Sequence, residues 1–161
     1  MTNILQTILK SSNYQLTQFT KEQISKLEKS IILKDSKGVE TPYISCLVRK
    51  KDIRLTPEEI VRQLYIMKLQ EEYDYPIKRM QIEYSVSFGH EKKRADIVIF
   101  DKKDNTTPYI IIEIKKPNLK DGKEQLKSYC HGTGATMAIW TNGDSISYYH
   151  RKDPNYFEDI V

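Results

Sequence analysis

Between Met80 and His150 the chain alternates short runs of β-branched and aromatic residues with polar breaks, a pattern that predicts a sheet. Met80–Phe88 and Arg94–Phe100 read as strands joined by the turn Gly89-His-Glu-Lys-Lys93. Tyr109-Ile-Ile-Ile-Glu-Ile114 reads as a third strand, after a turn-like gap over Asp101–Pro108. These three form an antiparallel meander. A polar link, Asn118–Gly122, precedes a helix from about Lys123 to His131 that Gly132-Thr-Gly134 ends. Thr136–Thr141 and Ser145–His150 then form a hairpin about Asn142-Gly143. The tail Arg151–Val161 reads as the start of a connection.

The N-terminal third has a different pattern. Residues 1–15 are polar and loosely specified. Thr20 is placed to cap a helix that runs to Lys29, and Ser30–Leu33 and Tyr43–Val48 read as strands around a turn at Asp35–Gly38. Thr56-Pro57-Glu58-Glu59 is the clearest helix start: Thr as N-cap, Pro at N1, and Glu59 at N3 for a capping box. That helix should run to about Tyr73 and stop before Pro76, with Ile60, Val61, Leu64, Met67 and Leu69 on its apolar side. On the helical wheel Glu58 falls at the edge of this side, near Tyr65 and Leu69, while Glu59 points away. The fold class expected is α/β: a mixed central sheet flanked by helices over residues 57–161, after an accessory segment over 1–56.

The meander carries the candidate chemistry. With Phe100 opposite Tyr109, Asp96 falls opposite Glu113, and directly opposed Cβ atoms lie about 4.5–5.5 Å apart. Side chains alternate, so Lys115 shares the face of Glu113 while Ile110, Ile112 and Ile114 point the other way. Val98, Phe100 and Ile111 share the charged face, so it is partly covered, and like charges in a desolvated setting are costly. A hard divalent cation would relieve that cost, with the Ile114 carbonyl as a further ligand. From the residues alone, a metal site and a structural salt-bridged trio both remain open.

Composition narrows the class. The chain is 39% hydrophobic and 30% charged, and no run approaches the length of a membrane span. The N-terminus carries no secretory signal pattern. Cys46 and Cys130 fit neither a disulfide framework nor a Cys-x-x-Cys site, which suggests reduced, buried thiols and a cytoplasmic protein. His90, His131 and His150 show no zinc-ligand spacing. The net charge of +4 comes from residues 1–56, which hold ten Lys/Arg against five Asp/Glu, and such an excess suits either phosphate contacts or a solvated surface.

Asp96, followed seventeen residues on by Glu113-Ile114-Lys115, resembles the PD-(D/E)xK nuclease signature, with Ala95 where that pattern has Pro. Gln125 and Tyr129, i and i+4 on one helix face, resemble the Gln-x-x-x-Tyr accessory motif of a subset of these nucleases. Leu55–Gln63, Arg94–Val98, Glu113-Ile-Lys-Lys-Pro117 and Trp140-Thr-Asn-Gly143, in this order, resemble the N-terminal nuclease domain of type I restriction enzyme R subunits over about residues 43–161.

The resemblance implies a restriction-endonuclease-like fold and hydrolysis of DNA phosphodiester bonds with Mg²⁺, or Mn²⁺, held by Asp96, Glu113 and the Ile114 carbonyl. Lys115 would activate water and stabilise charge on the phosphate. Gln125 would hold Lys115 or a water at the metal, and Tyr129 would touch DNA. Glu58 is the candidate fourth acidic group, or else a first-turn acid that serves only the helix dipole. Specificity would come from partner specificity and methyltransferase subunits, with no membrane involved. No G-x-x-x-x-G-K-[ST] occurs, so an ATP-driven motor would lie outside this chain, whether the chain is a piece of a longer protein or a stand-alone relative. The alternatives are a non-catalytic DNA-binding or assembly module of the same fold, and a nuclease acting on RNA or single strands.

Overall fold

The computed structural model describes residues 4–10, 12, 14–88, 90–103, 106–116, 122–142, 145–153 and 156–160. The chain divides into two compact units, Met1–Ile77 and Lys78–Val161.

The first unit contains α1 (Ile4–Leu9), α2 (Lys21–Lys29), an antiparallel sheet in the order β1 (Ile32–Ser36), β2 (Val39–Ser45), β3 (Asp52–Arg54), and α3 (Pro57–Glu71). Thr20 caps α2 as expected: its Oγ1 accepts from the Gln23 amide at 3.1 Å, and the Gln23 Oε1 accepts from the Thr20 amide at 3.0 Å. Thr56 caps α3 by accepting from the Glu59 amide at 3.2 Å. The first strands differ from the predicted pair. The turn tightens to Lys37-Gly38, both at positive φ, so β1 and β2 extend to meet it, and Asp52–Arg54 adds a third strand.

The wheel of α3 also differs from expectation. Glu58 is exposed, whereas Glu59 is buried and accepts from Arg62 Nε at 2.9 Å and Gln63 Nε2 at 3.2 Å. Gln63 in turn accepts from the Leu47 amide at 3.2 Å. The wheel counted only apolar neighbours, but a carboxylate is tolerated inside when paired and hydrogen-bonded, and here Arg62 and Gln63 supply that pairing.

The second unit is a six-stranded sheet in sequence order: β4 (Met80–Phe88), β5 (Glu91–Phe100), β6 (Pro108–Ile114), β7 (Met137–Thr141), β8 (Ile146–Asp153) and β9 (Tyr156–Ile160). All neighbours are antiparallel except β6 and β7, which are parallel and joined by α4 (Lys123–Thr133). A parallel pair needs such a crossover. The expected mixed α/β architecture is therefore the one observed. Helix α4 ends at Gly134, whose left-handed φ of 81° lets its amide reach the Cys130 carbonyl at 2.8 Å.

Two strand ends move relative to the sequence pattern. β5 begins at Glu91 rather than Arg94, because Lys92 and Lys93 pair with Ser87 and Val86 and keep their charges exposed. The tail holds a strand that the sequence pattern did not predict: β8 runs on to Asp153, and Tyr156–Ile160 pairs with it as β9. Within the expected turns, Gly89, Gly143 and residues 118–121 lie outside the described residues.

On one face of the sheet Val98, Phe100, Ile111, Ala138, Trp140 and Tyr149 pack with Leu126, Tyr129 and Cys130 of α4. On the other, Ile97, Ile99, Ile110 and Ile112 are buried too. Burial on both faces explains why these strands read as unbroken apolar runs. Leu126 is fully buried under α4, so Leu126→Ala should cost about 2–5 kcal/mol, measured as a lower urea midpoint with an unchanged slope.

Candidate active site

The β5–β6 ladder pairs Ile97 with Ile112, Val98 with Ile111 and Ile99 with Ile110. Continued one step past Ile97, that register sets Asp96 beside Glu113, as the sequence pattern predicts. Phe100 faces Pro108 rather than Tyr109, because the register shifts between Ile99 and Phe100. The shift lies at the far end of the strands and leaves the carboxylates in place.

Each carboxylate is anchored to the opposite strand. Asp96 Oδ2 accepts from the Ile114 amide at 2.7 Å, and Glu113 Oε1 accepts from the Asp96 amide at 3.3 Å. The Ile114 amide thus faces β5, and its carbonyl leaves an extended strand on the same side. On the other side the Lys115 amide donates to the Thr141 carbonyl at 2.8 Å, which fixes the end of β6 against β7. Lys115 Nζ lies 3.9 Å from Glu113 Oε2, with its side chain 24% exposed.

Burial shapes the charges here. Glu113 is 5% exposed. Burial first, then the charge of Asp96, push its carboxyl up to about 8, against the opposing pull of Lys115 and the Asp96 amide. Tyr129 projects from α4 into the same face and is 2% exposed. Burial, then Glu113 and Asp96, raise its phenol to about 12, so it stays a neutral donor. Gln125 lies one turn earlier on α4 and is partly buried. The second unit therefore brings Asp96, Glu113, Ile114, Lys115 and Tyr129 together, with Gln125 on the helix that carries Tyr129. Glu58 belongs to the first unit and is exposed on α3.

Two features escape the sequence pattern. The β4–β5 ladder skips the position where Glu83 would face Asp96, and Glu83 has a φ of 50°. A non-glycine residue in that conformation is strained; its carboxylate lies 3.8 Å from Arg94. Gly122, the N-cap of α4, has a φ of 92° and lies against Lys115. Lys123 holds its ammonium 4.7 Å from the ring centre of Trp140, which is paired in register with Glu113. Nothing in the sequence shows the sign of φ at Glu83, or the approach of Lys115 to a glycine seven residues away.

A model of the family described as type I restriction enzyme R protein N terminus matches residues 57–161. The chain belongs to that family. Among curated proteins, none matches it. Among solved structures, a candidate nuclease belonging to DUF820 from Anabaena variabilis is similar at 16% identity, with a TM-score of 0.45, over 70% of this chain and 74% of that one. Among the described residues of this R-protein N terminus, no helix is long and apolar enough to cross a membrane.

The raised Glu113 carboxyl sets a pH dependence. Between about pH 4.5 and 8 the unfolded chain ionises this group while the folded chain keeps it protonated, so stability falls as pH rises through that window and levels off above it. Glu113→Gln should flatten this part of the stability–pH profile and leave the apo protein at least as stable at pH 8. Urea titrations from pH 5 to 9 would show it. A variant that loses more than about 3 kcal/mol would instead mark a structural ion pair with Lys115.

Proposed function

We propose that this chain is a Mg²⁺-dependent DNA endonuclease domain of a type I restriction–modification R subunit. It would cut phosphodiester bonds without sequence specificity of its own. The observation that carries this is the convergence of Asp96, midway along β5, with Glu113 and Lys115 at the end of β6: two carboxylates in opposition with one ammonium beside them.

The donor set fits a hard cation. Asp96, Glu113 and the Ile114 carbonyl offer only oxygen. Among the described residues no group of three or more His, Cys, Asp or Glu is placed to hold a metal. Mg²⁺ suits such a sparse set, because it typically takes one or two carboxylates and fills its remaining positions with water and phosphate oxygens. When bound, Mg²⁺ or Mn²⁺ supplies Lewis-acid charge to the phosphate and lowers the pKa of water.

The rest of the work falls to the chain. Lys115 holds a positive charge where the phosphate oxygens gain negative charge, and it orients the attacking water. The Asp96 and Ile114 amides fix the carboxylates before substrate arrives, so little reorganisation remains for the reaction. Tyr129, a neutral donor 2% exposed, would face the carboxylates from within rather than touch DNA, and Gln125 would hydrogen-bond Lys115 or a water. Glu58, exposed in the first turn of α3, would serve the helix dipole or supply the fourth acidic group. As part of a cytoplasmic restriction complex, the domain would rely on specificity and methyltransferase subunits for its choice of site, and on an ATP-driven motor for delivery of DNA.

Two experiments test the site and the chemistry separately. Calorimetry with Mn²⁺ should show binding that Asp96→Ala and Glu113→Ala each abolish, and equal binding by the double variant would remove the site assignment. Lys115→Ala should keep Mn²⁺ affinity and lose DNA cutting, whereas Glu113→Ala should lose both. The cutting assay belongs in the assembled R-subunit complex, with translocation followed alongside. Cutting retained by Lys115→Ala there would defeat the mechanism, and cutting of RNA or single strands alone would favour the alternative substrates.

A further inference from the structure

We propose that Gly122 is a positioning residue: the bare backbone at the start of α4 is the wall that holds the Lys115 side chain toward Glu113. A Cβ built on Gly122 would lie 2.5 Å from Lys115 Cε and 3.3 Å from Lys115 Nζ. The first distance is far below van der Waals contact, so any side chain at this position displaces the lysine. The space Lys115 occupies is the space a Cβ would need, while its ammonium stands 3.9 Å from Glu113 Oε2.

Gly122 contributes in a second way. It is the N-cap of α4 yet makes no side-chain cap hydrogen bond, and its φ of 92° lies in the left-handed region. Ser, Thr, Asp or Asn would normally be favoured at an N-cap because each satisfies an orphan amide. Here the capping hydrogen bond is forgone, and the Gly122 carbonyl still accepts from the Leu126 amide at 3.0 Å to begin the helix. Absence of a side chain is therefore what this position provides. The atoms that would clash belong to the far end of a flexible lysine, so the fold accommodates a substitution by moving Lys115. The left-handed φ adds backbone strain to most substitutions, and the ammonium is misplaced besides.

The importance of this placement for cleavage rests on the role given above to Lys115; the placement itself does not. The test uses the full 161-residue chain with Gly122→Ala, Gly122→Asn, Lys115→Ala, and Gly122→Ala combined with Lys115→Ala. Placement is read in this chain by nuclear Overhauser contacts between the Lys115 Hε and Glu113 Hγ protons and folding by circular dichroism, and cutting is read in the assembled R-subunit complex on duplex DNA. Both Gly122 variants are expected to fold, bind Mn²⁺ normally and lose the Lys115–Glu113 contact. Each should cut about a hundredfold more slowly, the scale of a misplacement near 1 Å.

Asn tolerates left-handed φ, so Gly122→Asn separates the lost space from backbone strain: cutting restored by Asn would overturn the proposal. With Lys115 already truncated, Gly122→Ala should add nothing, and a full further loss in the double variant would overturn it as well. Retention of the Lys115–Glu113 contact in Gly122→Ala would do the same. If the contact is lost in the variants but the assembled complex carrying the unmodified chain cuts no DNA, Gly122 keeps its positioning role and the nuclease assignment falls.

Discussion

Two carboxyl groups whose joint ionisation is costly are held one strand apart by the register of two buried strands. Ile97, Ile99, Ile110 and Ile112 are buried on one face of the sheet, and Val98 and Ile111 on the other. Moving β6 by one residue would exchange the two sets across the sheet and carry Glu113 off the α4 face. The hydrophobic pairing thus fixes the distance between Asp96 and Glu113. Electrostatics would separate them, but burial of Ala95 and Ile97–Phe100 on β5 and of Ile110–Ile112 on β6 outweighs one strained contact beside them.

The chain lessens that strain with backbone donors and one cation. The Ile114 and Asp96 amides each reach across to the other strand's carboxylate, and Lys115 approaches Glu113 from beyond the strand end. Helix α4 contributes because β6 and β7 are parallel, so the chain must cross over the sheet to begin β7. That crossover lays Tyr129 over the charged face and brings Gly122 against Lys115. Topology, rather than proximity in sequence, gathers these groups.

Much of this can be read from the sequence, for identifiable reasons. Asp96 and Glu113 lie on two apolar runs either side of a turn-like gap, so the opposed pair follows from counting back along both strands. Thr20 and Thr56 announce their helices through side-chain chemistry confined to one turn. Glu59 could not be read this way, because its burial depends on Arg62 and Gln63 forming a polar interior that hydrophobic periodicity does not encode. β9 was missed because its polar and aromatic residues carry no alternation stronger than a loop would, and it becomes a strand by pairing with β8. The Gly122–Lys115 approach is set by how the chain returns to the sheet, a property of the path and not of any local pattern.

Trp140 is the single tryptophan of the chain. It is buried, stands in register with Glu113 on the neighbouring strand, and carries the Lys123 ammonium over its ring. All indole emission from this protein therefore originates beside the carboxylate pair. An excited indole responds to the local electric field, to which an acid in register and a cation over the ring both contribute here. The domain carries an internal optical gauge of its own candidate centre, with no other indole to blur the signal.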